Sequence, residues 1–300
     1  MGLGSAPVSS SSAPPIYYKL NHHHTQQFHV FVQKIQKQPF AVHTSSSSSK
    51  NKLKSVIVSC SSQLKIEEEE TCELVNGTEL TIGENLRAHL FTAVKNNNAT
   101  GILLLSDIFG FEDSSTTDFA YRLACNGYNV LVPDLFNGDS WTKDRPLEEW
   151  ITKHSPEKIA KTVSASAQWM LDEFAQLGIS NKFGIIGFCY GGGRVIDILA
   201  QDKGALFGCG VSFYGTRIDS SIATQINVPL LLITGGNDPL CPISVLEHIT
   251  NINEELKMVV FKERGHGFAH RPQTPEEDAD AEEAFIIMRN WLSDGLLVNT

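Results

Sequence analysis

From Leu86 onward the chain alternates short apolar runs with longer stretches whose apolar residues recur at helical spacing. That rhythm is the strongest constraint on what it can fold into. Predicted strands are Leu86–Val94, Gly101–Asp107, Asn129–Pro133, Phe183–Gly187, Gly208–Phe213, Pro229–Thr234 and Lys257–Lys262. Most are unbroken apolar runs, as expected of strands covered on both faces in a parallel sheet. Predicted helices are Asp118–Asn126, Pro156–Leu177 with Ser155 as N-cap, Gly192–Gln201, Ser244–Leu256 and Pro275–Trp291. The expected fold is one three-layer α/β domain over residues 61–300, its sheet mostly parallel with helices on both faces. Asn76-Gly77 reads as a hairpin turn ahead of a strand at Thr78–Ile82, so the first strands are expected to be antiparallel.

Composition narrows the function. With 41% hydrophobic and 19% charged residues and a mean hydropathy of −0.11, the 300-residue chain reads as a soluble globular protein. Its apolar stretches, such as Gly101–Leu105 and Leu230–Ile233, are far shorter than the roughly 20 residues of a membrane-spanning helix. The net charge of −10 argues against nucleic acid as a partner. Six cysteines are scattered without a CxxC pair, which indicates mostly reduced thiols.

The charge is unevenly distributed. Residues 1–60 hold six lysines and no acid, and they include the serine runs Ser9–Ser12 and Ser45–Ser49. The first acidic residue is Glu67. A basic, Ser-rich, acid-free leader without an apolar core suits an organelle import signal, and the chloroplast type fits best because serine exceeds basic residues and arginine is absent. Val56-Ile57-Val58-Ser59-Cys60 has the apolar-then-small pattern of a stromal cleavage site. The alternative is an unprocessed tail. Either way residues 1–60 stand outside the folded domain, and His22-His23-His24 within them receives no metal role.

Chemistry concentrates at Phe183-Gly-Ile-Ile-Gly-Phe-Cys-Tyr-Gly-Gly-Gly193, an apolar strand running through glycines into a helix. It matches G-x-nucleophile-x-G, with Cys189 central. Gly187 and Gly191 would remove side chains that clash where strand folds onto helix. The helix N-terminus would favour a thiolate, and the Tyr190 amide would face an oxyanion. By itself the motif is also compatible with an inert buried cysteine or a phosphate-binding loop. A nucleophile in such a turn needs an acid and then a histidine later in the chain. Asp238 follows the strand Leu230–Thr234, and His266 follows Met258–Lys262. A fourth element is Leu103-Leu-Leu-Ser-Asp-Ile-Phe-Gly110, where the Ile108 amide could oppose that of Tyr190.

At this point the chain resembles the dienelactone hydrolases (carboxymethylenebutenolidases), a cysteine-nucleophile branch of the α/β-hydrolase fold. The resemblance covers roughly residues 75–295 and rests on Gly187-Phe-Cys-Tyr-Gly-Gly192, Asp107-Ile-Phe-Gly110, Gly127-Tyr128 with Pro133-Asp134-Leu135, and Gly265-His-Gly-Phe268. It implies a hydrolase of small esters or lactones, with Cys189 as nucleophile, His266 as base, Asp238 as its orienter and the Ile108 and Tyr190 amides as the oxyanion hole. It also implies a monomer without cofactor. Where bacterial members carry a glutamate thought to exchange protons with the thiol, this chain has the shorter Asp107, the expected auxiliary to thiol activation. The family's substrate-clamping arginines do not align. Phe136-Asn-Gly-Asp-Ser140 follows Pro133-Asp134-Leu135, and His270 stands where an arginine is expected, with Arg271 one position late. Ester or lactone hydrolysis is therefore favoured over dienelactone specificity.

Other readings compete with this one. The scaffold could serve as a small-molecule receptor or regulatory module, or Cys189 as a redox-sensing thiol. His266 and His270 could share a zinc ion, but no third ligand accompanies them and no metal is expected. Among enzymes, thioesterase or glycosidase activity is the runner-up; a glycosidase would need paired carboxylates across a groove, and none stands out. Cys125, Cys209 and Cys241 read as small core or loop residues. Trp141 and Trp150 could line a lid or anchor a long connection.

Overall fold

The computed structural model describes residues 75–178 and 182–297. The predicted leader, the His22-His23-His24 run and the boundary at residue 60 lie outside the described residues.

Eight strands form one sheet in the order β1-β2-β4-β3-β5-β6-β7-β8. They are β1 (Val75–Ile82), β2 (Leu86–Ala93), β3 (Gly101–Leu105), β4 (Asn129–Pro133), β5 (Phe183–Phe188), β6 (Phe207–Phe213), β7 (Leu230–Gly235) and β8 (Leu256–Phe261). β2 is antiparallel to both neighbours, and every pairing from β4 to β8 is parallel. The mostly parallel sheet predicted from the apolar runs is present. β3, β4, β5 and β7 are buried at every position, as the unbroken apolar runs require.

The helices are α1 (Ser114–Cys125), α2 (Leu147–Lys153), α3 (Pro156–Gln176), α4 (Cys189–Asp202), α5 (Ile243–Ile252) and α6 (Pro275–Leu296). The β3–β4 crossover moves one way along the sheet, and the crossovers carrying α3, α4 and α5 move the other way. Right-handed connections therefore place α1 opposite those three helices. α6 joins α1: Phe285 meets Phe119 edge to face, and Glu282 pairs with Arg122. The direction of winding reverses between β3 and β5, the point beside whose strand ends sites form in sheets of this kind.

Several boundaries differ from expectation for local reasons. α1 begins four residues early because Asp113 caps it, accepting a hydrogen bond from the Ser115 amide. α4 begins at Cys189 itself, three residues before the predicted start. α5 stops at Ile252, since Leu256 belongs to β8. Asn76-Gly77 does not turn. Gly77 pairs with Phe91 inside the β1–β2 ladder, and the reversal occurs over residues 83–85, where Gly83 has φ +60°. An eight-residue ladder outweighs the local preference of the dipeptide.

Candidate active site

Five loops converge at the carboxyl edge of neighbouring strands: those after β3, β5, β6, β7 and β8. The loop after β5 is the sharpest. Cys189 has φ +52°, a strained conformation for a side chain-bearing residue, and it opens α4 directly from the strand. A Cβ on Gly187 would stand 2.5 Å from the Gly191 carbonyl oxygen, and one on Gly193 would meet the Thr216 carbonyl oxygen at 1.9 Å. The glycines are there because main chain passes against main chain. The Thr216 amide also donates to the Cys189 carbonyl at 2.9 Å and fixes the turn from the other side.

Asp238 leaves the end of β7 fully buried. One carboxylate oxygen accepts from the amides of Leu240 (2.8 Å) and Cys241 (3.2 Å), and the other lies 2.7 Å from His266 Nδ1. That bond sets the histidine tautomer and turns Nε2 away from the acid. His266 Nε2 is buried, and the Cys189 thiol is the side chain set against it. Burial opposes charge on this ring, but the bond to Asp238 and the adjacent Cys189 thiol outweigh it and carry its pKa up to about 9. The structure thus brings the predicted Cys189, His266 and Asp238 together from three different loops.

The two predicted oxyanion donors are also available. Tyr190 is the second residue of α4, so its amide has no intrahelical acceptor. The Ile108 amide has no acceptor among the described residues, while its carbonyl takes a bond from the Trp141 amide at 2.8 Å.

Asp107 has partners that the sequence did not indicate. One of its oxygens accepts from the Phe109 amide (2.9 Å), and the other is shared by His270 Nε2 (3.0 Å) and Arg271 Nε (3.0 Å) and Nη2 (2.8 Å). Its carboxylate is thus committed to its own loop and to His270 and Arg271. Arg271 is itself divided among Asp107, Asp113 and Ser115. Late in register though it is, it still reaches the site edge. His266 and His270 have different carboxylate partners, and among the described residues no cluster of three or more metal-ligating side chains occurs.

Tyr214, which follows β6, escaped the sequence reading. It is fully buried with φ +37°, its hydroxyl is 2.6 Å from His270 Nδ1, and its ring meets the His266 ring edge-on at 5.1 Å. The only available signal was an aromatic pair before glycine at a strand end. Trp150 is an anchor and not a lid. It is buried in α2, donates to the Asp139 carbonyl and packs on Phe136, His154 and Tyr190. Burial pushes the thiols of Cys209 and Cys241 up to about 12 and about 11, consistent with quiet packing roles. An open groove of about 660 Å³ between α3 and α4, lined by Lys161, Arg194, Asp197 and Arg217 among others, contains none of these catalytic candidates.

The sequence profile of the dienelactone hydrolase family matches residues 86–296. The chain belongs to the dienelactone hydrolase family. It is accordingly a hydrolase of carboxylic esters or lactones. The chain is 29% identical over 231 residues to a carboxymethylenebutenolidase homolog of Xenopus tropicalis, covering 72% of this chain and 89% of the relative. It is 28% identical over 204 residues to the human carboxymethylenebutenolidase homolog, covering 64% and 81%. Among solved structures it is similar to a dienelactone hydrolase-like promiscuous phosphotriesterase from metagenomic libraries, with TM-score 0.58, 19% identity, and coverage of 74% and 98%. It is also similar to a Pyrococcus furiosus esterase, with TM-score 0.54, 19% identity, and coverage of 74% and 91%. These likenesses make the fold that of the α/β-hydrolases, as the motifs implied. Among the described residues no helix is long and apolar enough to cross a membrane.

Proposed function

We propose that this dienelactone hydrolase family member cleaves small, uncharged esters or lactones through a Cys189–His266–Asp238 triad. The observation that carries the reading is His266, its Nδ1 bonded to Asp238 and its buried Nε2 left to the Cys189 thiol at the apex of a strained turn.

The raised pKa of His266 keeps the thiol proton on Nε2, and the Cys189 thiolate sulfur attacks the carbonyl carbon. The oxyanion that forms is met by the amides of Ile108 and Tyr190. As the tetrahedral carbon collapses, the C–O bond to the leaving alcohol breaks, and the imidazolium returns its proton to that oxygen. A thioester remains. Water, deprotonated by the same Nε2, attacks it and releases the acid and the thiol. Asp238 holds the ring and stabilises its cationic form without itself taking the proton. No step requires a cofactor.

The preference for uncharged substrates rests on Arg271. Its guanidinium faces two carboxylates, Asp107 and Asp113, so an anionic substrate group would compete for a cation already neutralised. The test is hydrolysis of a small activated ester by the full chain and by Cys189→Ala. Turnover that depends on Cys189 supports the reading. A folded protein with no turnover and an unreactive thiol overturns it in favour of a ligand receptor on a hydrolase scaffold.

We also propose, from composition alone, that residues 1–60 address the protein to the chloroplast stroma.

A further inference from the structure

We propose that His270 is a positioning residue for this hydrolysis: with Asp107 and Tyr214 it forms a second buried relay that fixes the oxyanion loop across the nucleophile. The inference deepens the triad reading and rests on it.

The relay spans three neighbouring strands. Asp107 lies just past β3, Cys189 at the end of β5, and Tyr214 just past β6, with β5 in the middle. His270 bridges the two outer loops, with Nε2 3.0 Å from Asp107 Oδ2 and Nδ1 2.6 Å from the Tyr214 hydroxyl. Between them its ring lies flat on Phe188, the residue before the nucleophile, with centroids 4.2 Å apart and planes 10° apart. The His270 side chain is 1% exposed.

The directions in which these groups shift assign the proton positions in this relay at neutral pH. Burial opposes the Asp107 charge, but the His270 and Arg271 contacts prevail and hold its carboxyl below the usual range. Burial lowers the His270 pKa despite Asp107, which favours the neutral ring at neutral pH. Burial, reinforced by Asp107 and Cys189, keeps the Tyr214 phenol well above its ordinary value. A neutral imidazole facing a carboxylate must donate from Nε2. Nδ1 is then an acceptor, and the Tyr214 hydroxyl donates to it. One arrangement satisfies all three groups, and a fully satisfied buried network holds its members rigidly.

What the relay holds is the oxyanion loop. The other Asp107 oxygen accepts from the Phe109 amide, and the Asp107 carbonyl accepts from the Gly110 amide at 3.2 Å. Ile108, between them, therefore has its peptide oriented by a carboxylate that His270 anchors from below. Arg271 also anchors Asp107, but from the partly exposed rim. Among the described residues, it is His270 that ties that carboxylate to the Tyr214 side of the nucleophile.

The experiment uses the full chain and compares His270→Phe, which keeps a flat ring on Phe188 without either hydrogen bond, with His270→Gln, which keeps one donor and one acceptor. A donor lost from, or misplaced in, an oxyanion hole is felt in the transition state. The expected result for His270→Phe is a kcat lower by about 10- to 100-fold with KM within about twofold. His270→Gln should recover most of the loss. Alkylation of Cys189 by iodoacetamide, followed on the Cys189 peptide by mass spectrometry across pH, forms no oxyanion and should match wild type. Tyr214→Phe should lower kcat as well, and its combination with His270→Phe should add little. Tyr214→Phe stands as the test should His270→Phe fail to fold. Wild-type kcat in folded His270→Phe and Tyr214→Phe overturns the proposal while leaving the triad standing. A matching loss of Cys189 alkylation also overturns it, because the residue would then act on the thiol–imidazole pair. Absence of Cys189-dependent turnover in wild type defeats the triad reading itself and this inference with it.

Discussion

Gly191 lies against the main chain of Ser106: a Cβ at residue 191 would stand 2.4 Å from the Ser106 carbonyl oxygen and 2.7 Å from that of Leu105. The nucleophile turn and the loop carrying Ile108 are thus docked through bare backbone, and this contact brings the two oxyanion amides to one place. Gly191→Ala should force them apart. We expect a loss of about 1–3 kcal/mol in stability and a fall in kcat on the order of 100-fold. Gly265, where an added Cβ meets nothing within 4 Å, is the control. Its alanine variant should keep its urea midpoint, and equal destabilisation of the two variants would refute the docking argument.

Asp238 orients His266 with one oxygen and closes its own loop with the other. Asp238→Asn can keep the loop bonds while setting an amide against Nδ1 and favouring the wrong tautomer. Activity should fall on the order of 10³- to 10⁴-fold, as in other nucleophile–His–Asp triads, with the thermal midpoint nearly unchanged. Asp238→Ala should lose both activity and several degrees of midpoint. An active Asp238→Asn enzyme would remove Asp238 from the triad.

The raised pKa of His266 has a defined consequence for stability. Burial disfavours its charge, Asp238 and Cys189 favour it, and the net value of about 9 exceeds the ordinary 6.5. The folded state therefore binds the proton more tightly than the unfolded chain. The resulting stabilisation is complete below about pH 6.5 and disappears as pH rises through about 9. Urea unfolding of wild type and His266→Gln at pH 6 and pH 10 should show a stability gap larger at pH 6, by at most about 3 kcal/mol. A gap independent of pH would show that the ring is not charged in the fold.

Two carboxylates on Arg271 imply selectivity by charge. Between paired substrates of similar size and leaving group, one neutral and one bearing a carboxylate such as dienelactone, kcat/KM should favour the neutral one by about 10-fold or more, a difference of roughly 1.4 kcal/mol. Faster turnover of the anionic partner would mean that Arg271 exchanges its protein carboxylates for the substrate's.

The leader makes its own prediction. Residues 1–60 fused to a fluorescent protein should be imported by isolated chloroplasts and shortened there. A fusion that stays outside at full length would leave those residues as a tail with no targeting role.

What the sequence determined is whatever depends on neighbours a few residues apart. Unbroken apolar runs specify strands buried on both faces, and β3, β4, β5 and β7 are so buried. The glycines around Cys189 specify a turn that only bare backbone can make, and the structure shows the strained φ that this turn requires. Loops after successive strands were legible as places for Asp238 and His266, because parallel topology sends every such loop to one edge. Partner choice between loops is different in kind. That Asp107 would turn to His270 and Arg271, that His270 would bridge to Tyr214, and that Asn76-Gly77 would be held inside a ladder all follow from strand order and register. Tertiary structure decided these points, because the competing local preferences are worth only fractions of a kcal/mol. Pairing a buried carboxylate or completing an eight-residue ladder involves considerably more free energy.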